Sequence, residues 1–179
     1  MDNISDIINL DSKAKHKVYK KGEVLQTEGK SNAQAFYVKS GLLRTYTIDE
    51  KGKEHVFMFA PEGWIIADLE SFEFNQPAKL FIDCMENSEV VIFERTLLGN
   101  LNLNKQQLSK NIQLLSRRVA VLQRRVIMLM SATAKQRYEF FIETYPELTN
   151  RVSQRMIASF VGITPEALSK IRGEIAKSK

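Results

Sequence analysis

Between Asn104 and Met130 the chain has neither Gly nor Pro, and its apolar residues recur alternately four and three positions apart. The ladder is Leu108, Ile112, Leu115, Val119, Leu122, Val126 and Leu129. Only a helix keeps such positions on one side, and a repeat of 3.5 residues confines them to a seam that suits one partner helix. Ile112, Val119 and Val126 take the a positions and the leucines take d, the arrangement that favours a parallel pair. The spacing therefore predicts a long helix over 105–130 that dimerises through this seam. The alternative is a lone amphipathic helix lying on its own barrel, which would need a wider stripe but gives a similar pattern. Arg117-Arg118 and Arg124-Arg125 fall at f and g, where they either meet the acidic front half or form a solvated face.

Ahead of that helix the pattern is different. Short apolar or alternating runs (Val24–Thr27, Ala35–Val38, Leu42–Ile48, His55–Ala60, Leu80–Cys84 and Val90–Phe93) are separated by Lys21-Gly22-Glu23, Glu28-Gly29-Lys30, Ser40-Gly41, Asp49 to Gly52 and Pro61-Glu62-Gly63. β-Branched and aromatic residues punctuated this often by Gly indicate an antiparallel barrel or sandwich, with Asp49–Gly52 as a hairpin tip. The fold class expected is α+β, in three parts: 1–104, 105–130 and 131–179.

Such barrels often hold a ligand or a metal, but only His16 and His55 are available here, with no His-x-His pair. The one cysteine, Cys84, excludes an intramolecular disulfide, a four-thiolate iron–sulfur cluster and a Cys-rich zinc site. No phosphate-cradling Gly-rich loop is present, so the residues support no catalytic role and no metal site. The start, Met1-Asp2-Asn3-Ile4-Ser5-Asp6, lacks a signal peptide's basic and apolar stretches, and no apolar run reaches a membrane span. The expectation is a soluble cytoplasmic protein.

Charge divides at the same place as periodicity. The first 104 residues carry 12 Lys/Arg against 16 Asp/Glu and the rest 14 against 5, within an overall net charge of +5. A basic back half suits a polyanion, but only a motif makes that polyanion DNA. Ser131-Ala132-Thr133 breaks the long helix, a second helix is expected over Ala134–Thr144, and Tyr145-Pro146 ends it. From Gln154 to Gly173 the residues fit a helix-turn-helix. Ile157, Val161, Ile163, Leu168 and Ile171 form its core, Ala158 allows close approach, Gly162 makes the turn, Thr164 caps and Pro165 opens the second helix. The outward residues Glu166, Ser169 and Lys170 are then the expected base readers: Glu166 accepts from cytosine and Lys170 donates to guanine. Arg151, Arg155, Thr164, Arg172 and Lys177 are the expected phosphate contacts.

A barrel, a dimerising helix and a helix-turn-helix in this order resemble the bacterial cyclic-AMP receptor and fumarate–nitrate reductase regulator (Crp/Fnr) family of transcription regulators. In the front half the resemblance rests on Lys21-Gly22-Glu23, Glu28-Gly29, Phe36-Tyr37-Val38, Gly41, Asp49…Gly52-Lys53-Glu54 and Pro61-x-Gly63; in the back, on Ser131-Ala132-Thr133-Ala134 and Gly162-Ile163-Thr164-Pro165-Glu166-x-Leu168-Ser169-Lys170-Ile171. It implies a cyclic-nucleotide-binding-like β-roll of jelly-roll type as sensor, a homodimer, double-stranded DNA as partner, RNA polymerase as a further partner, and no enzymatic activity.

Three departures qualify that resemblance. Ungapped, the family's effector pocket falls on Gly63, Trp64, Asp68, Ala78 and Lys79, with Ala78-Lys79 where cyclic-nucleotide binders carry Arg-Ser/Thr. A lysine lacks arginine's bidentate grip, which argues against cyclic AMP and leaves the effector unnamed. The same loss affects Lys170, where the family's recognition helix typically has arginine. With six residues after Gly173, the expected helix-turn-helix domain lacks room for a full wing. A sensor acting through protein contacts, without specific DNA binding, is the alternative.

Overall fold

A computed structural model describes residues 15–31, 33–94 and 104–177, the side chains at 111, 114 and 118 excepted. The chain divides into two compact units, Met1–Asn111 and Ile112–Lys179.

The front unit is an antiparallel β-roll of two four-stranded sheets. Its strands are β1 (Lys15–Tyr19), β2 (Val24–Gln26), β3 (Ala35–Ser40), β4 (Leu43–Ile48), β5 (Glu54–Ala60), β6 (Ile65–Ile66), β7 (Phe81–Cys84) and β8 (Ser88–Phe93). One sheet runs β1-β8-β3-β6 and the other β2-β7-β4-β5. Between them pack Leu25, Phe36, Val38, Leu43, Ala60, Ile66, Ile82, Val90 and Ile92, with Trp64 against the cluster. Cys84 belongs to this core, and burial pushes its thiol up to about 11, which keeps it a protonated, unreactive filler.

The six runs anticipated from alternation are all strands, to within two residues at either end. The hairpin tip also forms: the Asp49 carboxylate accepts from the Lys51 and Lys53 N–H groups at 2.9 and 3.0 Å. Strand β1 was not anticipated. It reads Lys-His-Lys-Val-Tyr and lies at an edge, paired with β8 from Lys15↔Ile92 to Tyr19↔Ser88. Charged residues are how edge strands resist further pairing, so the feature that hides it in sequence is what its position demands. Helix α1 (Leu69–Phe74) was equally unmarked.

Gly41 links β3 to β4 at a close crossing of two backbones. Its φ is +92°, and a Cβ there would meet the Ser88 side chain and come 2.5 Å from the Asn87 carbonyl. No side chain fits.

Next to this crossing Arg44 is buried on β4. Its Nε and Nη2 donate to the two Asp83 carboxylate oxygens at 2.9 Å each, and its Nη1 donates to Glu54 at 2.7 Å. Its guanidinium lies 4.2 Å from the Tyr46 ring centre, and Tyr46 stacks on Phe81. Burial works to lower its pKa, but the bonds to Asp83 and Glu54 outweigh it and hold the guanidinium above its usual value. Arg44 thus ties β4, β5 and β7 together.

Helix α2 spans Lys105–Ser131. Asn104 opens it reciprocally, its Oδ1 accepting from the Gln107 N–H while Gln107 Oε1 accepts from the Asn104 N–H, both at 2.9 Å. Three further α-helices follow among the described residues: α3 (Ala134–Thr144), α4 (Gln154–Val161) and α5 (Pro165–Lys177), with a 3-10 turn at Leu148–Asn150 between the first two. Thr133 and Gln136 form a capping box at the start of α3, so the short break expected at 131–133 both ends one helix and begins the next.

Candidate nucleic-acid interface

The second unit is built around aromatic packing. Phe141, Tyr145 and Phe160 meet with ring centres 5.5–5.7 Å apart, and Leu148, Ile157, Ala158, Val161 and Leu168 are fully buried beside them. Edge-to-face pairing of this kind adds specificity beyond area. Ile171 is buried as well, while Ile163 is half-buried.

The turn between α4 and α5 is written in local chemistry. Ser153 caps α4 by accepting from the Met156 N–H. Gly162 ends that helix at φ +70°, with Ile163 N–H donating to the Ala158 carbonyl at 3.0 Å and Gly162 N–H to that of Ser159 at 3.2 Å. These paired bonds form a Schellman motif, which requires a left-handed residue at that point. Thr164 then caps α5, accepting from the Ala167 N–H at 3.2 Å, and Pro165 occupies the first helical position. Gly162→Ala is expected to cost the second unit about 1–2 kcal/mol through backbone strain, with Gly162→Asn milder. A Cβ here meets Leu129 and Arg137 only at an ordinary 3.5 Å, so contact is not the cause. Urea unfolding followed by circular dichroism measures it; equal stability of all three chains would refute the strain argument.

Beyond the turn, Glu166, Ser169, Lys170, Gly173 and Lys177 are all exposed and fall at helical spacing on one face of α5, opposite Leu168 and Ile171. Hydrogen bonds from its own N–H and from the Thr164 hydroxyl hold the Glu166 carboxyl below its usual range, so it faces solvent as an acceptor. Arg155 is exposed on α4; Arg151 and Arg172 are half-buried at the margin. The Thr164 hydroxyl is engaged in the cap.

On α2 the seam side chains stand in solvent. Ile112, Leu115, Val119 and Val126 are each more than half exposed, as is Leu108, while Leu122 and Leu129 are just over a third exposed.

The arginines that sequence reasoning placed on a solvated or barrel-facing surface divide. Arg125 packs onto the helix-turn-helix: its guanidinium sits 4.1 Å from the Phe160 ring centre and donates to the Phe160 carbonyl at 3.2 Å. Burial pushes it down to about 10, leaving it charged at neutral pH. Arg118 lies outside the described side chains. Arg137, unremarked in sequence, donates from Nε to the Ala132 carbonyl at 3.1 Å and from Nη2 to that of Leu129 at 2.9 Å. Its Nη1 reaches 3.5 Å from the Gly162 carbonyl. A signal for this packing was present: Val121 and Met128 are apolar at c positions, which a two-stranded seam does not use, and Met128 is buried.

Of the expected effector residues, only Lys79 bonds to the Asp68 carboxylate, and it does so through its backbone N–H. Asp68 is buried and accepts from the N–H groups of Ser71 (3.2 Å), Lys79 (2.7 Å) and Leu80 (3.0 Å). Ala78 is buried, exchanging backbone bonds with Gly29 and Lys30. The Lys79 ammonium points outward to Glu70 at 2.7 Å, which holds it above its usual range. Gly63 and Trp64 bracket Val38, whose carbonyl takes the Gly63 N–H and whose N–H donates to the Trp64 carbonyl. Among the described residues no cluster of His, Cys, Asp or Glu is placed to hold a metal, and no helix is long and apolar enough to cross a membrane.

Comparison with known proteins meets this geometry at both ends. Residues 16–102 match the cyclic nucleotide-binding domain. Electron transport regulator A of Shewanella oneidensis is 26% identical, over 99% of this chain and 73% of that protein. Among solved structures, FixK2 of Bradyrhizobium japonicum superposes with a TM-score of 0.77 at 19% identity, over 92% of this chain and 85% of that one. A CRP/FNR-family transcriptional regulator of Thermus thermophilus gives 0.69 at 20% identity, over 92% and 87%. A matched front domain, a regulator aligned along nearly the whole length and a shared fold agree: the front of the chain carries a cyclic nucleotide-binding domain, and the whole has the fold of solved CRP/FNR-family transcription regulators.

Proposed function

We propose that the protein is a homodimeric regulator that reads double-stranded DNA sequence-specifically through α5. One observation carries the reading. Past a Schellman turn, α5 presents Glu166, Ser169 and Lys170 outward on a single stripe, the geometry with which a recognition helix meets base edges in a major groove. Arg151, Arg155, Arg172 and Lys177 flank it as phosphate contacts, with Thr164 at the helix entrance. The exposed seam of α2 supplies the second copy, so the two reading helices enter successive major grooves of a near-palindromic site, in the cytoplasm where DNA and RNA polymerase are met.

The roll, 1–104, is the sensor in this reading. Against cyclic AMP as its effector stand the Asp68 carboxylate, taken by three backbone N–H groups, and Lys79, paired with Glu70 where the phosphate grip would be. Within this chain one cysteine cannot ligate a four-thiolate cluster.

The test is selection of duplexes from a random pool at moderate salt, followed by binding across a salt series. A two-fold symmetric motif is expected, with affinity falling steeply as salt rises. Glu166→Ala and Lys170→Ala should each relax preference at one position per half-site by about 1–3 kcal/mol. Arg155→Ala should instead weaken all duplexes alike and lower the salt slope by about 1. Parent-like specificity in both α5 variants would refute the base-reading assignment. Failure of the parent to select any duplex, with or without small-molecule extracts, would favour a sensor acting through protein contacts.

A further inference from the structure

We infer that Arg137 and Arg125 are positioning residues that lock the DNA-reading head to the last turns of α2 and thereby set the distance between the two half-sites the protein accepts. The inference rests on the DNA-reading proposal and adds to it the residues that decide spacing. The last carbonyls of a helix have no partner within it and carry the negative end of its dipole. Two such ends meet here, that of α2 at Ser131 and that of α4 at Val161. The Arg137 guanidinium lies between them, donating to the Leu129 and Ala132 carbonyls and reaching toward that of Gly162. One planar cation therefore satisfies the terminus of the seam helix and faces the turn that presents α5. Arg125 makes a second fastening one turn earlier on α2, its charge over the Phe160 ring and an N–H on the Phe160 carbonyl. Leu129, a d residue of the seam, sits near Gly162 as well. The seam helix is thus joined to α4 and the turn that presents α5 through side chains, rather than through the short break at 132–133 alone.

Half-sites one helical turn apart lie about 34 Å from each other, and a shift of one base-pair step, about 3.4 Å, misplaces a reading helix. A rigid joint restricts the dimer to one spacing, and a loose joint tolerates several.

The test uses the full-length protein and duplexes carrying the selected half-sites with the spacer shortened by one base pair, unchanged, or lengthened by one or two. The parent should prefer one spacing by about tenfold or more. Arg137→Gln keeps an N–H donor but is shorter and loses the charged fork; it should flatten that preference to within about threefold while selecting the same half-site sequence. Arg125→Lys, which keeps the cation over the ring but loses the fork, should shift in the same direction by less. Far-ultraviolet circular dichroism and binding to a single half-site report whether each head is folded. If Arg137→Gln proves unfolded, Arg125→Lys decides alone. Retention of the parent's spacing preference, or an equal loss at every spacing, would overturn the positioning role and leave the DNA-reading proposal standing. A parent that selects no paired half-sites would overturn both.

Discussion

Replacing Leu115 and Val119 together by Glu is expected to leave both units folded, to make the protein a monomer, and to weaken binding to a two-fold site by about 10²–10⁴-fold. Both side chains are more than half exposed on α2, so the isolated chain tolerates the change. In a parallel pair, positions d and a of successive layers face their own copies, and four carboxylates would be forced into an apolar seam. A buried carboxylate without a partner is far more costly than the leucine contact it replaces. The loss of affinity follows because a dimer binds its second half-site intramolecularly, and a monomer has only one reading helix to offer. Sedimentation velocity and circular dichroism on the same samples measure it. A persisting dimer would show that the seam is elsewhere, and a parent that is itself monomeric at micromolar concentration would remove the homodimer altogether.

The second large effect concerns the front unit. Asp83→Ala is expected to destabilise it by about 3–5 kcal/mol, because the Arg44 guanidinium would remain buried with only the half-exposed Glu54 to balance it. That is a large fraction of the roughly 5–15 kcal/mol that holds a typical domain together. Trp64 is the only tryptophan and packs against the front core, so its fluorescence during urea unfolding reports this unit separately. Arg44→Met combined with Asp83→Leu should recover much of the loss, since no buried charge is then left uncompensated. If Asp83→Ala stays within about 1 kcal/mol of the parent, the network is a surface pair in energetic terms.

These two experiments act on features of different legibility. The seam is visible in sequence because a period of 3.5 is a property of consecutive residues. The same holds for the back unit's local structure. Thr133, Ser153, Thr164 and Pro165 act on N–H groups or backbone angles within three residues of themselves, and the helices begin where those residues stand. Gly162 makes its turn through bonds to Ala158 and Ser159, equally close. The stripe of Glu166, Ser169 and Lys170 then follows from helical periodicity once Leu168 and Ile171 are inside.

Asp68 marks the limit of that reasoning. Alignment by family pattern placed it where a ligand-binding carboxylate would be, but its partners include the N–H groups of Lys79 and Leu80, brought to it by the return of the chain after α1. A short polar side chain serves equally well as ligand or cap, and the choice depends on which backbone arrives beside it.

What the sequence determined by itself is the class of most segments: six strands and a hairpin tip ahead of residue 104, an apolar seam on the long helix, and the helix-turn-helix behind it. Those features are set by caps, turns and hydrophobic periods acting over a few residues. What only the tertiary structure decided is the use of the long charged side chains. Arg44 meets Asp83 across 39 positions, Arg125 meets Phe160 across 35, and Arg137 reaches Gly162 across 25. A guanidinium on a flexible stem can reach many groups, and only folding brings one carboxylate, ring or helix end within its span.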